Sequence, residues 1–160
     1  METFFQLLAR GPSYLFTDYF KGLEDVEAIQ RIFGTRTEEI LRSLKVEFTR
    51  IGGYMWVNDA NGHVIIRSRY VKEGDNKEIY LNLIHELDHV RQFIEGKELF
   101  DEGFSYVDRL TEVEAYMHAV EEAKRLGLSD ERIGQYLKTE GMSENDLERL
   151  AKALKVKCSG

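Results

Sequence analysis

Between Asn82 and Glu95 the chain reads NLIHELDHVRQFIE. His85 and His89 are four residues apart, so on a helix their imidazoles lie one turn above each other and can grip one metal ion, while Glu86 stands beside it as a proton acceptor. The same stretch carries a helical apolar period. Ile79, Leu83, Leu87, Val90 and Ile94 fall on one stripe, and His85 and His89 fall opposite, flanked by Asn82 and Glu86. A helix with a core face and a chemical face is expected. The bland alternative is a surface helix with two histidines on its polar side. The chain has only 4 histidines, and two of them at metal spacing around a glutamate favour the metal site.

With 160 residues, the chain is expected to be one domain with a core that needs no disulfide staple. Hydrophobic residues (42%) and charged residues (32%) stand in the proportions of a soluble protein, and no apolar run is long enough to span a bilayer. The opening METFFQLLARGPSYLF lacks a basic leader and a long apolar block, so no signal peptide and a cytoplasmic location are expected. Cys158 is the single cysteine and cannot form an internal disulfide. A net charge of −7 argues against a nucleic-acid surface, which needs a concentrated basic patch. Arg67, Arg69 and Lys72 come nearest to one and read as the solvated outer face of a strand.

Residues 2–33 read as helical, interrupted at Gly11-Pro12, with a new helix from about Ser13. Leu23, Val26, Ile29 and Phe33 mark its core stripe, and the aromatics Phe4, Phe5, Tyr14, Phe16, Tyr19 and Phe20 read as packing residues. Thr35-Arg36-Thr37-Glu38 fits a capping box opening a helix through Leu44. Val46 and Phe48 then alternate with Glu47 and Thr49 as a strand. Two β-rich runs, Tyr54 to Val57 and Val64 to Arg69, flank Asn58 to His63, whose Asn-Gly suits a hairpin turn; His63 is expected exposed there. After a polar turn from Lys72 to Lys77, the motif helix runs from about Glu78 to Glu95 and ends at Gly96. A further helix spans about Thr111 to Leu126, and Ser129 and Ser143 look like N-caps of two more. This order predicts an α+β fold with a small antiparallel sheet of about three strands.

Catalytic zinc usually takes three protein ligands and keeps one position open, and no cysteine lies near the motif. A third ligand must come from His, Asp or Glu. Thr111-Glu112-Val113-Glu114-Ala115-Tyr116 offers Glu112 and Glu114 on the following helix. Over roughly residues 46–126 the chain resembles the gluzincin metallopeptidases, in which a HExxH helix is followed by a helix carrying a glutamate ligand, often within Glu-x-x-Ala; Glu112 with Ala115 matches. The resemblance implies Zn2+ held by His85, His89 and Glu112, with Glu86 as base. It also implies an extended peptide pairing with the sheet edge at Tyr54, Met55, Trp56 and Val57. Many relatives place an aspartate one turn after the glutamate ligand; here that position is Tyr116, a candidate for second-sphere contact or oxyanion binding beside Tyr106, Tyr70 and His118. Glu114 competes for the ligand role, although Thr111-x-x-Glu114 also fits a capping box. HELDH is similar to the HExDH motif of peptide deformylases as well, but their upstream cysteine ligand and glutamine-bearing glycine-rich loop are missing.

The expected protein is a zinc-dependent endopeptidase acting on peptides or unfolded proteins, with no nucleic-acid or membrane partner; its oligomeric state is not readable. It is one domain over residues 1–160, with a core at about 46–126 and helical flanks at 1–44 and 129–160. A metal-binding regulator without turnover, and a structural domain without metal, are the competing classes. Ser143 to Val156 forms an amphipathic helix through Leu147, Leu150 and Leu154 that packs on the core, and this is preferred to a tail that reaches the metal through Cys158.

Overall fold

A computed structural model describes residues 12–139 and 141–157. The expectations for Phe4, Phe5 and Cys158 lie outside these residues. Ser13, where a helix is expected, opens a strand instead. β1 (Ser13–Leu15) pairs antiparallel with β2 (Lys45–Thr49), Ser13 opposite Glu47 and Leu15 opposite Lys45. Pairing supplies the backbone bonds that a helix would otherwise supply, so the helix starts only at α1 (Phe16–Tyr19), with Phe16 fully buried. Tyr14 and Tyr19 are largely exposed and pack edge-on against each other. In α2 (Glu27–Phe33) the expected stripe buries Ile29 and Phe33, and Leu23 and Val26 pack at its margin.

The predicted capping box before α3 (Thr37–Ser43) does not form. Gly34, at φ 63°, turns the chain into a tight 3-10 turn, Thr37 Oγ1 donates to Gly34 O, and Arg36 occupies the cap position without a side-chain bond. β3 (Met55–Val57) and β4 (Val64–Arg67) form the expected hairpin, closed by Asn58 N to His63 O at 2.9 Å. Gly62 is required twice over: its φ is +75°, and a Cβ there would meet the Phe93 ring at 2.5 Å. His63 is not free at this turn, because its Nδ1 lies 2.8 Å from Oε2 of the buried Glu47.

The sheet has four strands rather than about three, in the order β1-β2-β4-β3, and β2 pairs with β4 in parallel. Val64, Ile65 and Ile66 are apolar on both faces and 0% exposed, so β4 takes the centre and β3 is left at the edge. The next run leaves the sheet early. Ser68 to Glu73 forms α4, where continued strand and then polar turn are expected.

Asp75 caps α5 (Asn76–Ile94), accepting from the N–H groups of Lys77 and Glu78. After α5 come α6 (Leu110–Arg125), α7 (Asp130–Leu137) and α8 (Glu144–Ala153), the last two capped by Ser129 and Ser143 as expected. Ile79, Leu83, Leu87 and Val90 pack into one cluster with α2, α3 and the sheet. On the other side, Leu81 joins Tyr116 and Val120 with Ile133, Leu137, Leu150 and Leu154 in a second cluster. The motif helix is therefore enclosed over most of its length rather than lying on the surface, and only its two ends emerge, at Asn76 to Glu78 and at Ile94, 45% exposed. Residues 129–157, expected as a flank, build half of the second core. No helix among the described residues is long and apolar enough to cross a membrane.

Leu150 is 0% exposed on α8. Leu150→Ala should cost about 2–5 kcal/mol of folding free energy, measured by chemical denaturation. A deficit under about 0.5 kcal/mol, the size of a surface change, would mean that α8 is not part of the core.

Candidate metal centre

α5 and α6 lie antiparallel. Gln92 near the end of α5 meets Thr111 at the start of α6, while Tyr80 near the start of α5 donates to Glu122 near the end of α6. Ala115, Ala119 and Ala123, four residues apart and all 0% exposed, keep that face of α6 small. The first turn of α6 thus reaches the middle of α5, and Glu112 arrives opposite the two histidines.

His85 Nε2 and His89 Nε2 are 3.1 Å apart, and the Glu112 carboxylate oxygens lie 3.1 Å from the first and 3.2 Å from the second. All three residues are buried, and their donor atoms converge within a span that could hold a metal ion. Ligands at about 2.0–2.2 Å in a tetrahedral arrangement are separated by about 3.3 Å, close to the spacing seen. Glu112 Oε2 is buried and makes no well-aligned hydrogen bond among the described residues, and with His85 Nε2 3.1 Å away the carboxylate is turned to the histidines. Burial works against the Glu112 carboxylate, but the two imidazoles outweigh it and hold its carboxyl below the usual carboxylate range.

The second side of each imidazole is held differently. His89 Nδ1 lies 2.8 Å from Oε1 of Gln92, whose Nε2 donates to Thr111 O and to Glu114 Oε2. With its amide nitrogen committed as donor, Gln92 offers His89 an acceptor, which places the proton on Nδ1 and leaves Nε2 with its lone pair towards the cluster. Sequence reasoning missed Gln92, although a buried polar residue one turn beyond a ligand on the same face was the available signal. His85 Nδ1 has no hydrogen-bond partner among the described residues, and its ring is held by that of Tyr116, with centroids 4.2 Å apart.

Glu86 is buried beside this cluster with Oε2 unpartnered among the described residues, and burial pushes its carboxyl up, partly offset by the imidazoles of His89 and His85. Asp88 faces the other way. Fully buried, it accepts from Arg91 Nε at 2.7 Å and lies 3.4 Å from His118 Nδ1. Glu114 meets Arg91, Gln92 and Lys97 at the rim, so it fastens α5 to α6 and stands outside the cluster. The alternative capping box is not formed either, because Thr111 Oγ1 donates to Leu99 O.

Tyr116 is close to the site but does not face it with a free hydroxyl: its OH and that of Tyr106 are 2.7 Å apart. Tyr70 is engaged by Asn82 Nδ2 at 2.6 Å. Tyr136, on α7 and not anticipated from sequence, has a buried hydroxyl with no partner among the described residues, and burial pushes its pKa well above the ordinary tyrosine value, helped by the charges of Tyr116, Glu86, Tyr70 and Glu112. Its ring packs on that of Tyr116, with centroids 6.4 Å apart, and it lines a cleft of about 450 Å³ with Tyr54, Arg67, Tyr70, Asn82 and Thr139 among others. Tyr54 is exposed just before β3, Met55 and Val57 are buried, and Trp56 is half-buried. Asn58 bonds to His63 and Arg67 to Tyr54 across the hairpin, so by the alternation of an antiparallel ladder Met55 and Val57 turn their N–H and C=O groups to the open edge.

Comparison of the chain with protein-family profiles, curated proteins and solved structures found no match.

Glu112→Ala should abolish most metal binding, and Glu114→Ala should leave it near the wild-type level. Gln92→Leu should weaken metal affinity about 10–100-fold, as loss of a group that orients a ligand imidazole does. Metal titration of the three variants checks this; metal loss in Glu114→Ala but not Glu112→Ala would move the ligand by two residues.

Proposed function

We propose that the chain is a zinc-dependent endopeptidase organised on the gluzincin plan. The observation that carries the reading is the convergence of His85, His89 and Glu112 beside a buried, unpartnered Glu86 oxygen. Two imidazoles and a carboxylate, with no thiolate, suit a catalytic zinc more than a structural one. Zinc held by these three residues would supply Lewis acidity, the chemistry that brings the pKa of water to about 7 and polarises a carbonyl.

The remaining roles belong to the chain. Glu86 accepts the proton of the attacking water on its carboxylate and delivers it to the departing amine, a task favoured by the raised pKa of a buried carboxyl. Tyr136 donates its uncommitted hydroxyl to the oxygen on which negative charge develops. Tyr106 and Tyr116 are bonded to each other and serve to wall the site. An extended peptide pairs with the open groups of Met55 and Val57, gaining main-chain bonds that demand no particular sequence.

A second reading, metal binding without turnover, is favoured by closure: His85, Glu86, His89 and Glu112 are 4%, 8%, 2% and 2% exposed. Cleavage of an unfolded protein separates the two. Purified protein should carry stoichiometric zinc, a chelator should stop cleavage, and added zinc should restore it. Glu86→Gln should keep fold and zinc while losing turnover; full activity in that variant would reject the mechanism, and zinc without cleavage in the wild type would select the second reading.

The role of Tyr136 is tested separately. Tyr136→Phe should keep its zinc and lose about 10²-fold in kcat, the usual cost of one oxyanion donor. An unchanged kcat would assign the donor elsewhere.

A further inference from the structure

Arg67 ends β4 at the wall of the cleft that also contains Asn82 and Tyr136. Sequence alone reads it as part of a solvated basic face, and its neighbour Arg69 does behave so, pairing with Glu73 at the surface. Arg67 does not. Its side chain is only partly exposed, its Nε is buried without a hydrogen-bond partner, and no described carboxylate pairs with it. Glu78 lines the same cleft without pairing with it. A guanidinium that stays charged and partly desolvated without a counter-ion is costly, and native proteins rarely leave one so. The cleft around it holds Tyr54 and Tyr70, stacked with centroids 4.6 Å apart, and the backbone N–H of Arg67 is already spent on Tyr54 O, which fixes the position of the residue. Only the side chain is left for a ligand.

The cleft runs from Arg67 to Asn82 and Tyr136: Asn82 lies one helical turn before Glu86 on α5, and Tyr136 packs on Tyr116, whose ring lies against that of His85. We infer that this cleft is a substrate subsite in which Arg67 binds a carboxylate, either an acidic side chain near the cleaved bond or the C-terminal carboxylate of a short peptide. The planar guanidinium matches a carboxylate in two parallel hydrogen bonds, and the tyrosine pair flanks it with apolar surface that would strengthen them. This inference rests on the peptidase reading for the identity of its ligand, although carboxylate binding itself needs no turnover.

The test uses the zinc-loaded full chain carrying Glu86→Gln, so that binding is measured without cleavage. The probes are blocked uncharged hexapeptides with one glutamate moved through each position, their glutamine counterparts, and an uncharged hexapeptide as free acid and as amide, followed by calorimetry. In at least one position, or at the free C-terminus, the carboxylate form should bind about tenfold or more tightly than its amide counterpart, as a lost charge-assisted bond predicts. That preference should vanish when Arg67→Gln is added and return in part with Arg67→Lys. A glutamate dependence identifies a side-chain subsite, and a free-acid dependence identifies the peptide C-terminus. Equal binding of every carboxylate and amide pair overturns the inference without requiring any Arg67 variant to fold, as does a preference that survives Arg67→Gln. If the wild type cleaves none of these peptides or an unfolded protein while the carboxylate preference holds, the peptidase reading fails and the anion site stands.

Discussion

Two imidazoles and a carboxylate, with facing atoms 3.1 to 3.2 Å apart, are buried at the contact between α5 and α6, and their desolvation must be offset by the surrounding structure. Part of the offset is electrostatic, since the imidazoles favour the ionised form of Glu112. Part is mechanical. Gln92 holds the far side of His89, Tyr116 holds His85, and the Asp88, Arg91 and Glu114 network fastens the same two helices at the rim. Removing any of these lets polar atoms drift in a place where water cannot compensate them.

The contact between α5 and α6 is itself held from both sides. One cluster presses α5 against the sheet and α2, and the other presses the pair against α7 and α8. A helix clamped this way can keep a polar centre rigid. Side chains in a close-packed interior occupy single rotamers, which is what a preorganised site requires. The same clamp also sets one wall of the cleft, because α7 brings Tyr136 there and against Tyr116. In the proposed peptidase, the C-terminal helices would then complete the site as well as the core.

Access follows from the sheet order. With β4 drawn to the centre by its apolar run, β3 becomes the edge, and Tyr54, immediately before it, lines the cleft. Arg67 at the end of β4 lines that cleft, whereas Arg69 on α4 pairs with Glu73 at the surface, so the point at which strand gives way to helix separates the two basic residues.

Much of the centre was legible in local sequence. Four-residue spacing places His85 over His89 whatever surrounds the helix, and Ser129, Ser143 and Gly62 mark caps and a turn through chemistry that acts within a few residues. Other outcomes depended on partners far along the chain. Ser13 to Leu15 became a strand because β2 offered it hydrogen bonds, and His63 was engaged because β2 brought Glu47 beside it. Glu112 was separated from Glu114 only by the rotation of α6 against α5, which turns one carboxylate to the histidines and the other to Arg91. Gln92, Tyr136 and Arg67 acquired their surroundings in the same way. Local spacing determined which residues could share a helical face; tertiary packing decided which faces met, because burial and long-range hydrogen bonds outweigh the small preferences that neighbouring residues impose.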